Sequence, residues 1–328
     1  MRRITLVLTL LALVACAAEG GSTTTTGEVV TTTTSADPTT TAAPLSTTTA
    51  ADAGFPVTVE AANGEVTVPD SPTRIVSLAP TATEMLFAIG AGEQVVAVDD
   101  FSNYPEEAPI TDLSGFEPNI EAIAAYEPDL VVVSDDINDV VAALTAIDIP
   151  VVHNPAAATL DDTYAQIELL AQATGHPDES SALVASMRED IDQLITAVPE
   201  TAEAHDYYHE LDGSFFTVTS ATFIGQLYDL AGLDNIADDA EGADTGYPQL
   251  SAEYIIEADP DLIFLADTKC CGESLETVGV RPGWDVLTAV TSGGVVELDD
   301  DIASRWGPRV VDHLAIIVEE VQGLAESR

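Results

Sequence analysis

Two stretches of this 328-residue chain carry nearly the same text. Asn119-Ile-Glu-Ala-Ile-Ala-Ala-Tyr-Glu-Pro-Asp-Leu-Val-Val-Val133 matches Ser251-Ala-Glu-Tyr-Ile-Ile-Glu-Ala-Asp-Pro-Asp-Leu-Ile-Phe-Leu265. Glu121 falls on Glu253, Pro128 on Pro260, Asp129 on Asp261 and Leu130 on Leu262, each pair 132 residues apart. Each copy reads as a short helix, a Pro-Asp break and a buried strand. A unit used once in each half of a chain predicts two similar lobes, with one glutamate at the same place on each.

The text around the repeat alternates between strand and helix. Val57-Thr-Val and Val66-Thr-Val flank Asn63-Gly64 as in a hairpin. Residues 74–79 form a first core strand ended by Pro80, and Thr81-Ala-Thr-Glu84 matches a capping box opening the next helix. Strands follow at 95–98, 129–134 and 149–152, with helices at 119–127 and 140–147. The alternation stops over 159–198, where an amphipathic helix (160–174) precedes a longer one (180–198). The longer helix bears an apolar stripe of Leu183, Val184, Met187, Ile191, Leu194 and Ile195, and spans nearly 30 Å at about 1.5 Å per residue. Strands resume at 205–211, 215–218, 261–266 and 295–298, with helices at 223–230, 251–258 and 310–324 and a largely helical 274–290 broken at Pro282-Gly283. The expected fold is α/β: two lobes with mainly parallel sheets, 55–158 and 200–328, joined through a helical connector at 159–199 whose long helix is the single spine.

Met1-Arg2-Arg3 and the apolar run Ile4 to Ala15 read as a secretory signal peptide, too short to span a bilayer. Leu13-Val14-Ala15-Cys16 is similar to a bacterial lipobox, which implies cleavage before Cys16 and lipid on its thiol. Residues 16–54, rich in Thr, Ala and Ser, cannot bury enough surface to offset their ordering entropy and are expected to be a disordered tether. The expected location is the outer face of the cytoplasmic membrane.

The net charge is −48, from 57 acids against 9 bases, and Lys269 is the sole lysine. Such a surface repels nucleic acid, whose binding needs Lys and Arg on phosphates. Two readings of the acid excess stay open: adaptation to high salt, where self-repulsion is screened, and a merely acidic exported protein.

Arg74-Ile-Val-Ser-Leu-Ala-Pro-Thr-Ala-Thr-Glu84, Phe101-Ser-Asn-Tyr-Pro105, the two Glu…Pro-Asp-Leu units and Arg305-Trp-Gly-Pro-Arg309 together resemble the substrate-binding proteins of ABC importers for vitamin B12, iron–siderophore complexes and haem. The resemblance covers residues 73–322. It implies a ligand cleft between the lobes, little lobe motion because a helix is a stiff hinge, and a carboxylate on each lobe, Glu121 and Glu253, docking on arginines of a permease dimer. Like charges at matched positions suit a two-fold partner; each Glu also favours its helix N-terminus. Trp306 departs from the proline common at that family position.

Ligands of open α/β sheets bind beyond the C-terminal ends of the strands. That rule nominates Pro80, Thr81, Phe101, Tyr104, Phe116, Asp135, Asp136, Ser220, Tyr247 and the loop from Asp267. The aromatics either lie against a flat macrocycle or siderophore, or pack at the rim. Arg305 is preferred over Arg309 as a partner for ligand anions, Trp306 either walls the site or packs, and Trp284 belongs to the core. Cys270-Cys271 forms a vicinal disulfide or remains two thiols. His205 and His209 lie on a strand with no third and fourth ligand in view, and His153, His176 and His313 do not converge, so no metal site is expected. No nucleophile elbow or carboxylate constellation marks a hydrolase, which leaves an enzyme a remote alternative. The expected function is that of a monomeric, lipid-anchored binding protein without a catalytic cofactor, carrying a corrinoid or ferric siderophore to an ABC permease. Haem and a metal ion are the alternatives.

Overall fold

The structure, a computed structural model, describes residues 54–199 and 205–326; the expected signal peptide, Cys16 and all but the last residue of the tether lie outside them. Strands β1 (Val57–Ala61) and β2 (Gly64–Val68) form the antiparallel hairpin, with Gly64 at φ +96° in its turn. Two four-stranded parallel sheets follow. The first contains β3 (Ile75–Leu78), β4 (Val95–Val98), β5 (Leu130–Val133) and β6 (Val151–His153), in the order β4-β3-β5-β6. The second contains β7 (His205–Glu210), β8 (Leu233–Asn235), β9 (Leu262–Leu265) and β10 (Val295–Glu297), in the order β8-β7-β9-β10. Numbered within each lobe, both orders read second-first-third-fourth. The repeated strands β5 and β9 are the third strand of each sheet.

The helices of the first lobe are α1 (Pro80–Ala88), α2 (Ile120–Ala124) and α3 (Val140–Thr145). The connector supplies α4 (Leu160–Thr174) and α5 (Pro177–Ala197). The second lobe adds α6 (Phe223–Leu230), α7 (Ala252–Ala258), α8 (Thr268–Cys271), α9 (Leu275–Gly279), α10 (Thr288–Ser292), α11 (Asp300–Ser304) and α12 (Val310–Glu326). The spine α5 packs on α4 on one side and α12 on the other, burying Ser180, Val184, Met187 and Ile191 on one stripe.

Strands β3, β5 and β9 are buried along their whole length, as sheets covered on both faces require. One apolar core runs from α1, α4 and one face of the first sheet through α5 and α12 to Tyr207, Tyr228 and Phe264 of the second lobe. Two separate cores fill the outer faces, one under α2 and α3, the other around Trp284. The hairpin closes the first sheet's edge: the Asn63 amide donates to the Val151 carbonyl at 2.9 Å and accepts from the His153 N–H at 3.1 Å, occupying groups an edge strand would leave open.

The repeat has a structural reason. Asp129 accepts from the N–H groups of Thr73 and Arg74 at 2.8 and 2.9 Å, pinning the start of β3. Its counterpart Asp261 holds His205 Nδ1, at the start of β7, at 2.7 Å. Each Asp ties the third strand of its lobe to the first. Glu127 and Asp259, again 132 apart, both take the left-handed conformation, at φ 50° and 47°. Each ends its helix and turns the chain into the following Pro.

Three expectations need correction. Helix α1 has Pro80 at its first turn and Ala79 as N-cap, with no side-chain cap. Proline suits that place because its missing N–H is an orphan there anyway, so no Thr81–Glu84 capping box forms and Glu84 is released for other partners. Residues 215–218 are not a strand, since Phe215 sits at φ 69° and only an isolated bridge joins Phe216 to Gln249. Strand β8 was not foreseen: three residues after Gly232 are too short for a period-two signal.

Candidate functional site

The C-terminal ends of the two sheets meet. The loop after β4 reaches the segment after β10, where the Asn103 amide donates to Asp301 at 2.9 Å. Hydroxyls root the first-lobe loop: Thr83 on α1 bonds to Ser77 and Ser102 at 2.9 Å each, and Ser102 donates to Asp99. Burial pushes the Asp99 carboxyl up from its usual range. On this base stand Phe101 and Phe116, 53% and 63% exposed and edge-to-face at 5.6 Å. Tyr104 is also exposed, with the Arg309 guanidinium 4.1 Å from its ring centre. The second lobe exposes Tyr247 and Phe216.

Between the lobes lies an ionic bridge. Glu84, buried on α1, accepts from Arg305 at 2.7 Å and from Arg309 at 2.5 and 2.9 Å. Arg305, 9% exposed, also donates to Asn103 and the Phe101 carbonyl at 3.0 Å each, and to Asp301 at 2.6 Å. The expectation that Arg305 meets ligand anions does not fit this geometry, because four protein acceptors surround its guanidinium. Nearby, the Trp306 indole donates to Gln166 at 3.0 Å and the Thr163 hydroxyl to the Trp306 carbonyl at 2.9 Å. The half-buried Trp306 is thereby fixed against α4.

The second lobe holds a different cluster. Arg281 grips Glu210, the last residue of β7, through two bonds of 2.6 Å, and Glu273 at 2.9 Å. Its guanidinium also lies over Trp284 at 4.7 Å. Beside it, both carboxylate oxygens of Asp267 are buried without a hydrogen-bond partner. Burial, aided by Glu210 and Glu273, pushes this carboxyl up to about 7. Deeper still, His209 accepts from or donates to the Tyr228 hydroxyl at 2.7 Å, and His313 lies 6.5 Å away, ring centre to ring centre. Burial, and for His209 also His313, holds these imidazoles down to about 3 and about 4. Among the described residues no three His, Cys, Asp or Glu side chains gather as a metal site would require.

The other nominated residues are dispersed. Thr81 is buried beneath the bridge and Pro80 half-buried. Asp135 and Asp136 are exposed, and Asp136 accepts from the Val141 N–H. The Ser220 N–H is held by Asp238. Cys270 and Cys271 are joined as a disulfide and exposed on α8. Glu121 and Glu253 are exposed in the first turns of α2 and α7.

The chain matches the family model for periplasmic binding protein over residues 75–302. The chain belongs to this family. It is 32% identical over 271 residues to the cobalamin-binding protein of Halobacterium salinarum, covering 80% of this chain and 73% of that one. The crystal structure of the periplasmic vitamin B12 binding protein of Vibrio cholerae superposes with a TM-score of 0.65 at 26% identity, covering 79% and 99%. The periplasmic heme-binding protein from Roseiflexus sp. RS-1 gives 0.67 at 25%, covering 76% and 98%. These are binding proteins, not enzymes, and their two-lobed fold is the one seen here.

In this periplasmic binding protein the commitment of the basic residues stands out. Arg74 donates to the Tyr126 carbonyl, Arg188 to Asp161, Arg281 to Glu210, Arg305 and Arg309 to Glu84, and Lys269 to Asp299 and Asp301. All six bases among the described residues are held by the protein's own acceptors. Sequence reasoning missed Glu84 as the hub of the bridge, and it nominated the loop from Asp267 without seeing that Glu210 and Arg281 stand beside it. One signal was present: with so few bases among so many acids, each arginine has carboxylates to meet.

Proposed function

We propose that this protein captures a corrinoid, a metal-bearing macrocycle with uncharged amide arms, in the interlobe cleft and delivers it to the permease of an ABC importer. The observation that carries this reading is the combination of exposed aromatics on the loops of both lobes with the commitment of all six described bases. Anionic siderophores and haem propionates call for free arginine or lysine forks, and here Arg281, Arg305 and Arg309 are largely buried on carboxylates of the protein itself, while the exposed Arg188 and Lys269 are paired with Asp161, Asp299 and Asp301. Flat aromatic contact with satisfied polar edges suits a neutral macrocycle. The relatives named as cobalamin- and vitamin B12-binding proteins support the same choice.

In this reading Phe101, Tyr104, Phe116 and Tyr247 contact the ligand, with Pro80, Ser220 and Trp306 at the margin. Glu121 and Glu253, on matched helices with side chains facing water, dock on the permease. Lipid on Cys16 keeps the protein at the membrane, and it works as a monomer. Titration with cyanocobalamin, a ferric siderophore and haem, followed by tryptophan fluorescence, tests the ligand. Cyanocobalamin is expected to bind tightest, and tight siderophore binding with none of cyanocobalamin would sink the assignment. Glu121→Ala combined with Glu253→Ala is expected to spare titration and abolish uptake in cells; equal loss of both would refute docking.

A further inference from the structure

The disulfide lies one side chain away from the contacts that join the lobes. Cys270 and Cys271 form a one-turn helix directly after β9, with both residues exposed. That turn is seated on Asp300, which accepts from the Lys269 N–H at 2.9 Å, the Cys270 N–H at 2.8 Å and the Thr268 hydroxyl at 3.0 Å. From the same turn Lys269 reaches Asp299 at 2.6 Å and Asp301 at 3.1 Å. Asp301 in turn accepts from Arg305 and from Asn103 of the first lobe, and Arg305 continues to Glu84. A covalent constraint in the second lobe is thus connected to the first lobe through two side chains, Lys269 and Asp301.

We propose that Cys270–Cys271 is a thiol–disulfide switch that sets how firmly the two lobes are latched at the cleft mouth. A disulfide between neighbours closes a small ring around their shared peptide and restricts its conformations. The restriction keeps the N–H groups of 269 and 270 on Asp300 and Lys269 between Asp299 and Asp301. A dithiol reductant attacks one exposed sulfur. Its second thiol then resolves the mixed disulfide, leaving two cysteine thiols and an oxidised donor, with two electrons and two protons transferred. An isolated turn of four residues does not hold itself, so the opened ring frees Lys269. Asp299 and Asp301 then lose the Lys269 ammonium that lies between them, and their mutual repulsion loosens the hold of Asp301 on Asn103 and Arg305. Exposed disulfides are the ones prone to such exchange. Each exposed pair contributes little alone, so the switch tunes lobe motion and leaves the fold intact.

Hydrogen exchange by mass spectrometry, without any ligand, tests this on the oxidised protein, the protein reduced with dithiothreitol, and Lys269→Met in both states. Reduction is expected to speed exchange roughly 3–10-fold in residues 268–273 and also in 101–104 and 300–305. Lys269→Met is expected to speed exchange in 101–104 and 300–305 without reduction, with no further rise there on reduction. Faster exchange confined to 268–273 would make the disulfide a local staple and overturn the switch. Two free thiols titrated in the unreduced, denatured protein would overturn it as well. Because no ligand is present, neither outcome depends on the corrinoid assignment.

Discussion

The two lobes share a strand order but use the glutamate near their first strand in opposite ways. In the first lobe Glu84, on the helix after β3, reaches out to Arg305 and Arg309. In the second, Glu210 ends β7 and stays with Arg281 inside its own lobe. The first lobe is otherwise apolar at its centre, with β3, β4 and β5 built from Ile, Val, Leu, Ala and one Ser. The second threads His205, Tyr207, Tyr208, His209 and Glu210 through its central strand. Equal topology therefore does not mean equal electrostatics. The first lobe turns its buried Glu84 to the interface, and the second builds its central strand from polar, titrating side chains.

The largest effect should come from removing those carboxylates. Glu84→Ala strips Arg309 of its carboxylate and leaves Arg305 with Asp301 alone, and Glu210→Ala leaves Arg281 with Glu273 alone; each is expected to cost about 3–5 kcal/mol by urea unfolding. Hydrogen exchange separates them: Glu84→Ala should quicken both lobes, Glu210→Ala the second alone. Identical exchange patterns would erase the contrast.

Acid should strike the second lobe next. His209 and His313 are held down to about 3 and about 4 in the fold, against about 6.5 unfolded. The unfolded chain therefore takes up protons first. Stability is complete above pH 6.5 and drains as pH falls toward 4, by on the order of 3 kcal/mol for each histidine. His313→Leu should flatten this slope in urea midpoints measured from pH 7 to pH 4.

Asp267 works with the opposite sign. Its folded carboxyl is raised to about 7, beside Glu210, Glu273 and Arg281, so its contribution is full below about pH 4 and lost as pH rises through 7. Asp267→Asn should raise stability at pH 8 by about 1–3 kcal/mol and add little at pH 4. Thermal melts at both values check the sign; a gain that ignores pH would point to packing.

The smallest effect compares like with like. Asn119 caps α2 and Ser251 caps α7 through the same bond to the third residue on. Asn119→Ala and Ser251→Ala should each cost about 1 kcal/mol. A large inequality in chemical unfolding would show that the matched helices are not equally coupled to their sheets.

Much of this fold is legible in the sequence. The repeat placed β5 and β9 and matched Asp129 with Asp261, while the tie of each to its lobe's first strand is a finding of the structure. The strand-end rule nominated the aromatics at 101, 104, 116 and 247, and the structure leaves all four exposed. Glu84 was misread because Thr-x-x-Glu satisfies a local capping pattern, while Pro80 already supplies the helix start. Strand β8 and the irregular 215–218 segment were missed because three or four residues carry too little pattern to outvote their tertiary setting.

The sequence by itself determined the two lobes, their alternation, the long spine and the matched glutamates, because these rest on periodicity and on contacts within one unit. The pairing of distant charges follows from the packed fold. Glu84 and Arg305 are 221 residues apart, and no local rule pairs one carboxylate among 57 acids with its arginine. Burial makes that choice: a charge removed from water must find its partner wherever the chain brings one.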